Sequence, residues 1–195
     1  ASQAPNESQV TGIFDAQTDV GNIRHKGSAV YNPQTQEYTI GGSGTNMWFN
    51  HDEFHFVWKK INGDFILRTN AAFIGKGVEE HRKWGWMVRS SLDSSSAHVN
   101  AVVHGDGLTA LQCRKTSGAT TEELRSSLTG ADVVQLERKG NTYIMSAAKN
   151  GELFTVDKLE NVDLGNDVYV GLFVCSHNAA VVEKAVFSNV RIVVP

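Results

Sequence analysis

The 195-residue chain carries two cysteines and three prolines, and its 18 lysines and arginines are outnumbered by 21 aspartates and glutamates. Each scarcity excludes something. Two cysteines cannot build a disulfide scaffold of the kind that staples small secreted domains. Cys113 and Cys175 both fall inside strand-like runs and read as buried thiols, and spacing alone does not place them within bonding distance. With a net charge of -3 there is no basic stripe to neutralise a phosphate backbone, so nucleic acid is not an expected partner. No apolar run approaches the roughly 20 residues of a membrane-spanning helix, so no membrane insertion is expected. Helical periodicity is almost missing: Thr121-Glu122-Glu123-Leu124 could open a single turn, and residues 162–166 another. There is no G-x-S-x-G elbow, and Gly41-Gly42-Ser43-Gly44 lacks the lysine of a phosphate loop.

What is present is alternation of period two. It predicts strands near residues 30–31, 37–41, 55–60, 64–73, 83–91, 98–104, 108–115, 132–139, 142–148, 153–159, 168–176 and 182–194. Between them lie turn residues, including Asn62-Gly63, Gly105-Asp106-Gly107, Lys139-Gly140-Asn141 and Asn150-Gly151. The two Asn-Gly pairs are the usual residues of tight hairpins, where both positions need positive φ. Many short strands with regular turn signals predict an all-β, two-sheet antiparallel sandwich, and 195 residues suit one such domain. Residues 1–11 read as a polar N-terminal extension and 12–195 as the sandwich. A start at Ala1 without Met fits a chain after signal-peptide removal, hence a secreted or periplasmic protein, and equally a chain cut at a chosen boundary.

The middle of the chain shows how such a sandwich could carry a site. Successive strand residues point to opposite faces. Trp84, Trp86 and Val88 share one face, against Lys83, Met87 and Arg89 on the other. Val99, Ala101 and Val103 alternate with His98, Asn100, Val102 and His104, and Leu111 and Cys113 alternate with Gln112 and Arg114. If these three strands are neighbours, Arg89, Asn100, His104, Gln112 and Arg114 share a polar surface. Fixed donors and acceptors beside aromatic rings suit a sugar, although a solvated sheet face has the same pattern without any ligand.

Four tryptophans are candidate stacking platforms. Trp58, alternating with Phe54 and Phe56, reads as core, as do Trp84 and Trp86, while Trp48 beside the glycine-rich loop reads as a rim platform, with His81 nearby. Seven histidines show no paired metal spacing, and no transition-metal site is expected. No cofactor is expected apart from a structural calcium, for which Asp15, Asp19 or Asp163 could supply oxygen ligands.

The stretches FHFVWKKINGDF (residues 54–65), HRKWGWMVRSSLD (81–93), HGDGLTALQCR (104–114) and the ending GLFVCSHNAAVVEKAVFSNVRI (171–192) resemble the concanavalin A-like lectin/glucanase superfamily. The nearer resemblance is to bacterial members of the Bacteroidetes type that accompany polysaccharide degradation or are fused to biopolymer-transporter propellers. It covers residues 12–194 and implies a jelly-roll sandwich whose concave sheet holds oligosaccharide. The retaining glucanases of that superfamily carry an E-x-D-x-x-E strand, which is missing here. Glycoside hydrolysis usually needs two carboxylates, and the acids available to this face reduce to Asp106, with Asp52 or Glu53 nearby.

These readings lead to one principal expectation, a carbohydrate-binding or glycan-handling domain. Its ligand would be an oligosaccharide or polysaccharide, held by Arg89, Asn100, His104, Gln112, Arg114, Trp48 and His81, with the arginines favouring an acidic or sulfated sugar. The alternatives are a glycan-degrading hydrolase or lyase with His104 and Asp106 as acid/base groups, and a sandwich that docks a protein partner.

Overall fold

The computed structural model describes residues 12–195. The polar extension expected at residues 1–11 lies outside the described residues. Sixteen strands follow in chain order: β1 (Ala16–Val20), β2 (Ser28–Asn32), β3 (Glu37–Gly42), β4 (Met47–Trp48), β5 (His51–Asp52), β6 (Phe54–Asn62), β7 (Phe65–Phe73), β8 (Lys83–Arg89), β9 (His98–His104), β10 (Leu108–Arg114), β11 (Glu122–Thr129), β12 (Val133–Lys139), β13 (Thr142–Ala148), β14 (Thr155–Leu159), β15 (Asp167–Cys175) and β16 (Glu183–Val193). Among the described residues there is no helix, and so none long and apolar enough to cross a membrane.

Two seven-stranded antiparallel sheets face each other. One runs β1-β6-β15-β8-β9-β10-β11 and the other β14-β13-β12-β7-β16-β3-β2, while β4 and β5 form a separate small hairpin. The late strand β15 inserts between β6 and β8, and β16 between β7 and β3. The result is the expected jelly-roll sandwich. Tertiary pairing adds what alternation did not show: β1, β4, β5 and β11 have weak period-two patterns of their own. The segment 121–124, read as a possible helical turn, enters β11, an edge strand paired to β10 with Gln112 opposite Glu123.

The turns divide differently from their residue types. Asn62-Gly63 joins β6 to β7 in opposite sheets, and Gly63 N donates to Asn166 O at 3.0 Å. Gly140-Asn141 makes the two-residue hairpin instead, with Lys139 opposite Thr142. Gly140 has φ +60, a conformation that costs glycine little.

The core fills the space between the sheets. Trp84, Trp86, Val88, Val99, Ala101, Leu111 and Cys113 from the first sheet meet Leu67, Leu136, Tyr143, Met145 and Phe187 from the second. Burying each large apolar side chain contributes on the order of 1.5–3 kcal/mol. Trp86 also ties the sheets by a polar contact, its Nε1 donating to Val134 O at 3.2 Å. Cys113 lies in this core. Cys175 lies on the other side of the first sheet, in a second cluster with Met47, Phe54, Phe56 and Phe173, and both thiols are free.

That second cluster shows that the outer face of the first sheet is itself covered. Trp58 packs here, half-buried and edge-on to Tyr169 at 4.9 Å, on the same face as Phe54 and Phe56. Two glycines shape this face. A Cβ on Gly85 would stand 1.9 Å from Ala101 O, and one on Gly171 would stand 1.8 Å from Val57 O. The backbone passes too closely there for any side chain, as at a bend in a sheet.

Candidate functional site

Strand register brings the anticipated polar residues onto one face. Arg89 pairs with His98 and His98 with Arg114; Met87 pairs with Asn100 and Asn100 with Gln112; Lys83 pairs with His104. These rows divide the face into two parts with different chemistry.

The first part is closed. Asp52, at the end of the small hairpin, reaches down between the two arginines. Its Oδ2 accepts from Arg89 Nη1 at 2.7 Å and Arg114 Nη1 at 2.8 Å, and its Oδ1 accepts from Arg114 Nη2 at 3.0 Å. All three side chains are fully buried. Further guanidinium bonds go mostly to backbone: Arg89 Nη2 to Asp93 O at 2.6 Å, Arg114 Nε to Ala119 O at 2.9 Å, and Arg114 Nη2 to Trp48 O and Phe49 O at 2.9 and 3.1 Å, besides one from Arg114 Nη2 to Thr121 Oγ1 at 3.1 Å. Burial pushes the Asp52 carboxyl up, but His98 and the two guanidiniums outweigh it and hold it below the usual carboxylate range. Burial holds His98 itself down to about 4, so at neutral pH the arginines balance the Asp52 charge. Arg89 and Arg114 therefore have their forks filled by protein groups. The geometry places them under the small hairpin, where they lock it to the sheet, and not on a wall open to sugar. Asn100 is also fully buried, and both its amide atoms lack a partner among the described residues.

The second part is open. A cavity of about 410 Å³ is lined by Asn46, Trp48, His81, Lys83, His104, Gln112, Glu123, Arg125 and His177. Four anticipated residues, Trp48, His81, His104 and Gln112, meet here. His104 and Gln112 form the floor, each nearly buried. Gln112 Nε2 donates to Glu123 Oε2 at 2.8 Å, which fixes the amide and leaves Oε1 without a partner among the described residues. His104 Nε2 is likewise unpartnered, while its Nδ1 stands 3.3 Å from His81 Nδ1. Trp48 is half-buried and forms a ridge between this cavity and a second hollow of about 220 Å³ beside Phe49, His51 and His177.

Lys83 is the notable cation of the cavity. Its Nζ donates to His81 O at 2.8 Å and contacts His177 Nδ1 at 3.1 Å. Burial lowers its proton affinity, with nearby acidic groups opposing that effect. His104 is pushed down to about 3 by burial and then by Lys83, and His177 is lowered by the same two causes. A cleft with several strongly perturbed groups is a candidate site on physical grounds.

Asp106 does not line this cavity. Its Oδ1 accepts from Leu108 N at 3.0 Å in the turn after β9, and its Oδ2 stands 4.0 Å from His81 Nδ1. Glu53, the other acid expected nearby, accepts from Thr45 N at 3.0 Å. The aspartates considered for calcium are engaged separately: Asp15 accepts from Lys60 N, Asp19 from Gly27 N, and Asp163 from Gly165 N. Among the described residues they form no group of three or more candidate ligands.

Sequence reasoning missed Lys83, His177, Glu123, Arg125 and Asn46. Lys83 was within reach, since it shares the Met87 and Arg89 face by alternation. Glu123 and Arg125 were hidden by the weak pattern of β11. His177 follows β15 at φ +61 and has no periodic signal.

No family model matches the chain, and no curated protein sequence matches it. Solved structures do. A functionally unknown protein from Saccharomyces cerevisiae superposes with a TM-score of 0.66 at 12% identity, covering 92% of this chain and 96% of that one. The carbohydrate-binding module CBM66 from Bacillus subtilis gives 0.56 at 14% identity, covering 92% and 96%. Lectin II from Ulex europaeus gives 0.54 at 11% identity, covering 92% and 98%. At such identities the likeness defines the class of fold, a lectin-like jelly roll.

Proposed function

We propose that this protein is a glycan-binding module, with its ligand seated in the cavity between Trp48 and the His104–Gln112 floor. The observation that carries the reading is an open cavity that sets an aromatic ridge, Trp48, beside the polar side chains of Lys83, His104 and Gln112. A sugar hydroxyl both donates and accepts, so it suits a lining that mixes donors and acceptors. Trp48 offers the flat apolar surface that the C–H face of a pyranose needs. The similarity in fold to a carbohydrate-binding module and a lectin supports the same reading.

The arginine basis for an acidic or sulfated ligand falls away, because Asp52 occupies both forks. The cavity's remaining cations are Lys83 and Arg125, and Arg125 is paired with Glu123. We place the module in a secreted or periplasmic polysaccharide-degrading system of the bacterial kind its sequence resembles.

Glycan cleavage is the second reading, favoured by the perturbed Lys83, His104 and His177 in one cavity. Against it, a histidine held near 3 is a poor general base at neutral pH. Asp106, the proposed partner, stands outside the cavity wall.

The test is a glycan array with the isolated domain, followed by calorimetry on each hit and an assay for released reducing ends or unsaturated product. Trp48→Ala and Gln112→Ala should each weaken binding about tenfold, or roughly 1.4 kcal/mol. Full affinity in both variants would remove the ligand from this cavity. Product release would replace the module reading with the enzymatic one, and no binding across a broad array would leave a protein-docking role.

A further inference from the structure

The same end of the sheet presents a second arrangement, which shares His81 and His104 with the cavity lining. His81 Nδ1 and His104 Nδ1 face each other at 3.3 Å, and Asp106 Oδ2 stands 4.0 Å from His81 Nδ1. One donor atom from each of the three side chains lies within 4.8 Å of the other two. We propose that His81, His104 and Asp106 form a binding site for a divalent transition-metal ion of the zinc class, at the edge of the cavity.

Three features support this assignment. The first is spacing. A tetrahedral ion with metal–nitrogen bonds of about 2.0–2.1 Å holds its ligand atoms roughly 3.3–3.4 Å apart. The two Nδ1 atoms already stand at that separation, which is longer than the usual 2.7–3.2 Å of a hydrogen bond. Their rings are nearly perpendicular, at 87°.

The second feature is rigidity. His104 ends β9, and Asp106 follows it across one glycine. Gly105 N donates to Arg82 O and Asp106 N to Glu80 O, each at 2.8 Å. The His81 segment and the Asp106 turn are therefore tied together by backbone on both sides of the donors. Asp106 Oδ1 is oriented by Leu108 N at 3.0 Å, which leaves Oδ2 as the ligand atom. Metal ligands held in this way are preorganised, and such supporting bonds matter almost as much as the ligands.

The third feature is donor chemistry. Two imidazoles and one carboxylate suit zinc, nickel or copper, and not calcium or magnesium, which take oxygen ligands in larger number. Three protein ligands leave a fourth position for water or a ligand group. Metal on Nδ1 would also fix His104 as the Nε2–H tautomer, a donor on the cavity floor. The site escapes any sequence pattern because its donors come from two different strand ends joined only by sheet pairing.

Isothermal titration of zinc chloride into chelator-stripped protein tests the assignment, with cobalt absorption spectra reporting geometry. The expected result is one zinc per chain. Affinity should fall at least tenfold in His81→Ala, whose side chain is exposed and whose loss should leave the fold intact, and also in Asp106→Asn. His25→Ala should bind as the parent does, and calcium should not compete. Absence of zinc binding, or equal affinity in the parent and His81→Ala, would overturn the proposal. Because the probe is the metal alone, its failure is independent of whether a glycan binds.

Discussion

Asp52 is the residue on which the closed half of the polar face depends. Two fully buried guanidiniums share its carboxylate, and each also donates to backbone. Removing the carboxylate leaves two buried cations without a counter-charge, so Asp52→Ala should cost about 3–5 kcal/mol in urea denaturation. A change below about 1 kcal/mol would show that the pair of arginines is solvated or held by other groups. His98, beside them, gives a pH signature. It is held to about 4 in the fold against 6.5 when free, so the unfolded chain binds more protons between those values. Its contribution is fully present above pH 6.5 and is lost as pH falls towards 4. Asp52, also depressed, extends the loss further into acid, below its ordinary 3.8. Denaturation curves from pH 7 to 4 should show stability falling, and His98→Asn should flatten that slope. An unchanged slope in the variant would assign the acid sensitivity to other groups.

At the scale of the element, the small hairpin β4–β5 and the edge strand β11 decide which part of the face is open. Arg114 Nη2 donates to Trp48 O and Phe49 O, so the arginine positions the hairpin that carries the aromatic ridge. Thr121, just before β11, adds a bond from its Oγ1 to Phe49 O at 2.9 Å. Loosening the hairpin should therefore weaken any ligand at Trp48 without touching it. Thr121→Val should lower glycan affinity by a few-fold while Tm falls only modestly, and calorimetry beside a thermal melt would separate the two. Strands β6 and β15 supply the bend at Gly171. There a methyl group would meet Val57 O, so Gly171→Ala should destabilise by about 1–3 kcal/mol or more. A neutral outcome would mean the sheet flattens without penalty.

At the scale of the molecule, the two sheets are joined mainly by apolar packing, with the Trp86 Nε1 bond to Val134 O as a polar link between them. Trp86→Phe would leave that carbonyl without its donor and a void beside it. A loss of about 2–3 kcal/mol in urea denaturation is expected, and none would show that the carbonyl finds water. Period two with its turn signals determined the fold class and which residues of β8, β9 and β10 alternate inward, because strand geometry is local; that Arg89, Asn100, His104, Gln112 and Arg114 share one face needed those strands to be neighbours, which pairing supplies. Period two could not say which of those residues meet solvent. That depended on Asp52, 37 residues from Arg89 and 62 from Arg114 along the chain, folding down as their counter-charge. Nor could it join His81 to His104 and Asp106, or His104 to Gln112 and Glu123, since those neighbours are set by which strands pair. Alternation assigns a residue to a face; only the packing of distant segments over that face decides whether it becomes a lock or a site.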